Sequence, residues 1–163
     1  MKNIRTRAQD MRGLFQSRLR AAWLLASVLA PGMALAALGE DASTVERDVT
    51  QLKAQRSVNA TAAFSVHELQ LSGGTHVREY VTTANQVFAV AWQGPSIPDL
   101  QQLLGNYFPR YSKAAQALGR VRRGVAIEES DLVIHTGGHQ RAFFGMAYLP
   151  KQMPQGVTLD QIR

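Results

Sequence analysis

The strongest structural signal in the sequence is an uninterrupted apolar run, Val87–Trp92, in the middle of the chain. A short apolar run bounded by turn residues is typical of a strand that is covered on both faces. Two further strand-like segments precede it, Phe64–Leu71 and His76–Thr82, and the Ser-Gly-Gly sequence at residues 72–74 indicates a hairpin between them. The three segments therefore predict consecutive antiparallel strands.

A helical segment follows the apolar run. Apolar residues recur at helical spacing between Leu100 and Leu118, and Asp99 lies in the predicted first turn, where a negative charge is favourable. Pro109 interrupts this stripe, so we expect a kink or a break there. The segment predicts one long helix whose apolar stripe packs on the sheet.

Three more elements complete the predicted fold. Residues 41–56 have helical spacing, and residues 132–135 and 141–149 are predicted to form a second hairpin around Thr-Gly-Gly at residues 136–138. An antiparallel sheet with helices against one face suits this order. We therefore predict an α+β fold in a single domain. Its antiparallel sheet has about five strands, in the order α-β-β-β-α-β-β, with the long helix packed on one face.

The first 36 residues have the features of an export signal. They contain six basic residues and one acidic residue, followed by an apolar run at residues 21–30. This run is too short to span a bilayer, which needs about 20 residues, although an uncleaved anchor is the alternative. Ala34 and Ala36 supply the small side chains that a signal peptidase requires, so we predict cleavage between Ala36 and Ala37. Residues 1–36 are then a signal peptide, and residues 37–163 form a periplasmic or secreted domain without a membrane span.

Charge and cysteine content exclude several kinds of function. The formal net charge is +6, but residues 1–36 account for 6 − 1 = +5 of it, so we expect no nucleic-acid partner. The chain has no cysteine, which excludes disulfides and cysteine nucleophiles. It also has no Gly-x-Ser-x-Gly elbow, no phosphate loop and no dinucleotide fingerprint. The sequence predicts no cofactor and favours a binding module over an enzyme.

Two segments with a shared pattern contain the candidate binding residues. Each has a hydroxyl residue, two glycines and then His-x-Arg-x-aromatic, which places His76 with Arg78 and His139 with Arg141. Alternate strand residues share a face, and the planar arginine fork can bind an anion or a carboxylate. Solvated side chains next to hairpin glycines are the alternative. Trp92 is a further candidate, because an aromatic side chain at the end of a strand can line a ligand cleft.

The length of each loop decides which residues pair. A three-residue loop in the first hairpin pairs Glu68 with Arg78, which opposite charges favour. The same loop in the second hairpin places His135 opposite His139, close enough to share a metal, whereas a two-residue loop sends them to opposite faces. Zinc normally takes at least three protein ligands. We therefore predict no metal site, with His135 and His139 as the candidates if one exists.

Several motifs in residues 37–163 are similar to those of one protein family. They are residues 37–39, 78–81, 87–95, 98–100, 103–108, 137–143 and 147–150. On these motifs the chain resembles the family of small exported proteobacterial proteins known as domain of unknown function 2844. The resemblance covers nearly the whole mature chain. It implies export and a single domain, and it implies no particular activity, substrate or catalytic residue.

We therefore expect an exported, non-enzymatic binding module for a small ligand, a peptide or an envelope component. Two alternatives stay open. One is an envelope-associated hydrolase with an unrecognised site, and the other is a structural partner of another envelope protein that uses an exposed edge strand.

Overall fold

The structure is a computed structural model that describes residues 38–44, 54–119 and 124–162 of the chain. The predicted signal peptide at residues 1–36 and its cleavage point lie outside these ranges, as do residues 45–53 of the predicted first helix. Those expectations stay predictions.

Seven antiparallel strands in the described ranges form one sheet with the spatial order β1-β2-β3-β4-β7-β6-β5. The strands are β1 (Gln55–Ala60), β2 (Phe64–Gln70), β3 (His76–Thr82), β4 (Val87–Gly94), β5 (Ala126–Glu128), β6 (Val133–His139) and β7 (Ala142–Tyr148). The chain thus makes two meanders, β1 to β4 and β5 to β7. They join where β4 pairs with β7.

A helical segment of 18 residues connects the two meanders. It consists of α1 (Leu100–Leu104), a 3-10 turn (Gly105–Tyr107) and α2 (Phe108–Ala117). The carboxylate of Asp99 accepts hydrogen bonds from the first backbone N–H groups of α1, at 2.9 and 3.1 Å. Pro109 lies in the first turn of α2, where its missing N–H leaves no hydrogen bond unmade. The expected interruption of the helix is therefore present.

The helical segment covers one face of the sheet, which we call the helix face. Leu103 and Leu104 are fully buried there, against sheet residues such as Val90 and Ile134. Full burial of a leucine side chain stabilises a fold by about 1.5–3 kcal/mol. These contacts fix the helical segment on the sheet.

The opposite face, which we call the tail face, is covered in part by the C-terminal segment. Ile162 is fully buried and packs with Phe64, Tyr80 and Phe88, whose ring centroids are 6.0 to 6.2 Å apart. Aromatic rings at this separation attract each other in tilted or edge-on arrangements. Chain residues after β7 therefore form the second layer of the core.

Residues 38–40, shortly after the predicted cleavage point, hydrogen-bond to α1 and to β4. Leu38 is 1% exposed, and its N–H donates to the carbonyl of Leu103 at 3.0 Å. The N–H of Gly39 donates to the carbonyl of Val87 at 2.7 Å, and the N–H of Val87 donates to the carbonyl of Glu40 at 3.0 Å. The segment therefore extends the hydrogen bonding at the start of β4.

The prediction of five strands in the order α-β-β-β-α-β-β is wrong, because the sheet has seven strands and the fold is mostly β. Strand β1 was missed, and residues 55–56, which were assigned to the first helix, belong to it. Residues 42–44 form a short 3-10 turn. Strand β1 is an edge strand in which Val58 is 49% exposed. It therefore lacks the apolar alternation that reveals a half-buried strand. Strand β5 has three residues, too few to show a pattern.

Candidate functional site

The second pair of glycines lies inside a strand and not in a hairpin loop. Strand β6 continues through Gly137 and Gly138 to His139, which pairs with Ala142 of β7. The turn between the strands is therefore Gln140 and Arg141, and Arg141 has a φ of 67°. Positive φ is uncommon for residues other than glycine. The motif had predicted that His139 and Arg141 share one strand face. Because Arg141 lies in the turn, they do not.

His135 and His139, the two candidates for a metal site, do not face each other. His135 pairs with Met146, and it lies four positions before His139 on the same strand, which separates them by about 13 Å at 3.3 Å per residue. The Nε2 atom of His135 is 3.0 Å from the carboxylate of Glu128. In the described ranges, no group of three or more His, Cys, Asp or Glu side chains could hold a metal ion.

The first hairpin has the predicted register. Glu68 is opposite Arg78, and the N–H of Leu71 donates to the carbonyl of Thr75 at 2.9 Å. His76 and Arg78 alternate with buried residues and lie on the same face as Tyr80, which is the tail face. Trp92 lies on the helix face. The structure therefore separates the candidates: His76 and Arg78 are on one face, and Trp92 is on the other.

A cleft of about 750 Å³ opens on the helix face, between α2 and the hairpin of β6 and β7. Among the described residues, its larger apolar and aromatic lining residues are Trp92, Ile97, Leu100, Tyr111, Leu118, Phe143 and Phe144. Of the candidates, Trp92 and His139 line this cleft. Sequence reasoning could not bring α2 to the hairpin, because the two are far apart in the chain.

A glycine on the neighbouring strand makes room for Trp92. Trp92 pairs with Gly145 of β7, and a Cβ atom on Gly145 would lie 2.1 Å from Cζ2 of the indole. Real Cβ atoms do not approach other heavy atoms so closely. Because Gly145 has no side chain, the indole lies against the sheet and is 3% exposed. A large aromatic ring therefore forms part of the cleft wall.

The polar side chains that line the cleft include Thr136, His139 and Gln140. The Oγ1 atom of Thr136 accepts a hydrogen bond from the N–H of Val125 at 2.9 Å, so it stabilises the fold. The Nδ1 atom of His139 lies 3.2 Å from the carbonyl oxygen of Gln140. A carbonyl only accepts, so Nδ1 carries a proton, and the Nε2 atom of a neutral His139 is an acceptor. The imidazole of a neutral His139 therefore keeps one acceptor nitrogen.

An ion-pair network holds α2, which forms one wall of the cleft. Arg110 of α2 donates to both carboxylate oxygens of Asp131, at 2.8 and 3.1 Å, and also to Glu129. A fork of two parallel hydrogen bonds defines the geometry as well as the energy of such a pair. The hydrogen bond from Arg110 is the main reason that the pKa of Asp131 lies below its usual value. The network ties α2 to the turn between β5 and β6.

A second polar cluster lies on the helix face near the β1 edge. The Nδ1 atom of His67 is 3.2 Å from the guanidinium of Arg56, and its Nε2 atom is 3.3 Å from the hydroxyl of Ser65. Because a guanidinium only donates, Nδ1 accepts, and a neutral His67 carries its proton on Nε2. This tautomer has no Nε2 lone pair directed at the serine. A histidine can activate a serine only by accepting its proton, so the cluster is not arranged for a serine nucleophile.

The chain matches the family described as "Protein of unknown function (DUF2844)" over residues 34–162. No curated protein and no solved structure matches it. In the part of the chain that the structure describes, no helix combines the length and apolar character needed to cross a membrane. Because the match covers most of the chain, the protein belongs to the DUF2844 family.

Proposed function

We propose that the protein is an exported binding module that takes a small, mainly apolar ligand into the cleft between α2 and the β6–β7 hairpin. The observation that carries this proposal is the cleft itself. Its volume of about 750 Å³ falls within the range of roughly 300–1,000 Å³ that is typical of small-molecule sites. Such sites combine apolar and aromatic side chains with polar groups that orient the ligand, and this cleft has residues of both kinds.

The lining also limits the charge of the ligand. None of the described lining residues is an aspartate, a glutamate, a lysine or an arginine. Burying a charge without a partner is strongly unfavourable, so a charged group would not be stable inside this cleft. A neutral His139 offers one acceptor nitrogen. We therefore expect a neutral ligand with an apolar body and at least one polar group.

The export part of the proposal rests on residues 1–36. Their six basic residues, the apolar run and the small residues at Ala34 and Ala36 fit a cleaved signal. Leu38 is almost fully buried in the domain. Cleavage before Ala37 would therefore leave the buried part of the domain intact.

The main alternative is a hydrolase. The 3.3 Å contact between Ser65 and His67 is the observation that favours it. The Nδ1 atom of His67 faces a guanidinium, however, which selects the tautomer that donates to the serine. A catalytic histidine is instead held by an acceptor at Nδ1. We therefore favour binding over hydrolysis.

The binding proposal can be tested with the single tryptophan of the mature chain. The two tryptophans of the precursor are Trp23 and Trp92, so a protein that begins at Ala37 contains only Trp92. We expect N-phenyl-1-naphthylamine, a neutral aromatic probe, to quench Trp92 by energy transfer and to be displaced by ligands of the cleft. Native mass spectrometry of protein purified from its own compartment would show both the chain start and any retained ligand.

A matched pair of variants on α2 separates the cleft from nonspecific adsorption of the probe. Ala115 lines the cleft, whereas Ala117 is exposed on the same helix and does not line it. Ala115→Phe should fill the cleft and weaken probe binding at least tenfold, while Ala117→Phe should leave it unchanged. Equal effects of the two variants, or no binding by the parent protein, would contradict the proposal.

A further inference from the structure

The tail face carries an exposed row of side chains at the end of the sheet away from Tyr80 and Phe88. The row crosses four neighbouring strands in register, because Gln70 pairs with His76, His76 with Gln93, and Gln93 with Phe144. All four residues are exposed. We call these four residues the exposed row. It lies on the opposite face from Trp92, and of its members only Phe144 also borders the cleft.

An aromatic ring is held against the sheet at one end of the exposed row. Phe144 is 56% exposed, and it pairs with Gly137 of β6. A Cβ atom on Gly137 would lie 2.7 Å from Cζ of the ring and 3.2 and 3.3 Å from the two Cε atoms. The ring therefore occupies the space that a side chain would fill. Gly137 keeps the ring on the sheet surface, where it is also open to solvent.

The neighbours of the ring are hydrogen-bonding groups without a net charge. Gln93 and His76 lie one and two strands away, about 5 and 10 Å across the sheet. Both offer donors and acceptors. Arg78, in the next row of the same face, is directly opposite Glu68, so the two charges offset each other. The surface therefore combines one aromatic ring with polar groups on one side of it.

We infer that the exposed row binds a neutral saccharide chain that lies across the strands. A sugar ring has a face of C–H groups, which an aromatic ring attracts because its π face is negative. The sugar also has a rim of hydroxyl groups, each able to donate and accept. The row supplies the ring at Phe144 and the matching amide and imidazole groups at Gln93 and His76.

Other occupants fit this surface less well. A stable protein interface buries about 800 Å² on each partner, with an apolar centre, whereas Phe144 is the only large apolar member of the row. Nucleic acids are held by several unpaired cations, whereas Arg78, which lies beside the row, faces a glutamate. A neutral ligand rich in hydroxyl groups matches both the charge and the hydrogen-bonding capacity of the surface.

The test is an NMR titration of isotope-labelled protein with the neutral hexasaccharides cellohexaose, maltohexaose and chitohexaose. We expect at least one of them to shift the amide signals of Gln70, His76, Gln93 and Phe144, and to leave those of Ala115 unchanged. No shift with any of the three up to their solubility would overturn the inference. Shifts centred on the cleft would overturn it as well.

Variants of the row show which side chains bind the sugar. Phe144→Ala should weaken binding at least tenfold, Gln93→Ala should weaken it severalfold, and Phe144→Tyr should retain it. Val58→Ala is the matched control, because Val58 is also exposed and apolar but lies on β1 and on the other face. Equal losses for Phe144→Ala and Val58→Ala would overturn the inference. Ala115→Phe should not alter sugar binding, so failure of the cleft proposal would be seen separately.

Discussion

The contact between Trp92 and Gly145 can be tested by adding one methyl group. In most strand interiors, replacing glycine with alanine stabilises the protein by about 0.5–1 kcal/mol. At Gly145, the new Cβ would lie 2.1, 2.5 and 2.8 Å from three atoms of the Trp92 indole, so the ring must move. Overpacking of this kind costs typically 1–3 kcal/mol, and three such short contacts place Gly145→Ala near the upper end. We therefore expect a net destabilisation of about 2 kcal/mol.

The effect should reverse when the indole is removed. In a Trp92→Leu background, the new methyl group no longer meets the indole ring, so Gly145→Ala should be neutral or stabilising. The difference between the two backgrounds is a coupling free energy of about 2–3 kcal/mol, which is large for a pair of neighbours. Gly73→Ala is the control, because its Cβ would meet only Ser96, at 3.7 Å.

The assay is urea unfolding of the parent, the two single variants and the double variant, followed by far-ultraviolet circular dichroism. Fluorescence is unsuitable because two of the four proteins lack Trp92. The midpoint shift at constant m-value gives each free-energy difference. If Gly145→Ala stabilised the parent, or if it had the same effect in both backgrounds, the close contact between the indole and Gly145 would be refuted.

Two further predictions concern the helical segment. The hydrogen bond from Arg110 lowers the pKa of Asp131 below its usual value, so the pair stabilises the fold above the unfolded-state pKa, and this contribution is lost as the pH falls through the folded-state pKa. Melting temperatures measured against pH should therefore fall less steeply on acidification for Asp131→Asn than for the parent, and identical slopes would contradict this. Asp99→Ala removes the N-terminal cap of α1 and should lower the free energy of unfolding by about 1 kcal/mol. Asp99→Ser keeps a side chain that can cap the helix, so its free energy of unfolding, measured in urea, should be close to that of the parent.

The central meander could be predicted because its signals are local. Val87–Trp92 is apolar throughout because β4 lies between β3 and β7 and is buried on both faces. The turn before β3 could be predicted because Gly74 has a φ of 83°, a conformation that glycine adopts readily. The register of this hairpin followed from the loop length and the charges of Glu68 and Arg78.

The edge strands could not be predicted, because hydrophobic periodicity reports burial rather than strand geometry. Strand β1 pairs with β2 along its whole length. Its last four residues, Ser57 to Ala60, are nevertheless all exposed. A strand with no buried face has no reason to alternate apolar and polar residues. Its backbone hydrogen bonds to β2 do not depend on side chains, so they leave no trace in the sequence.

The two glycine pairs show why the candidate site could not be predicted from its motif. Gly74 is needed for its positive φ, whereas Gly137 is needed because a side chain there would displace the ring of Phe144. Both requirements select glycine, so the two segments look alike although one is a turn and the other is a strand. Only the pairing of β6 with β7 shows that the second glycine pair lies in a strand. A shift of one residue in that pairing would move each side chain of the strand to the opposite face of the sheet. The same pairing decides that Phe143 lies on the helix face and Phe144 on the tail face, so both proposed binding surfaces depend on a register that the local motif does not contain.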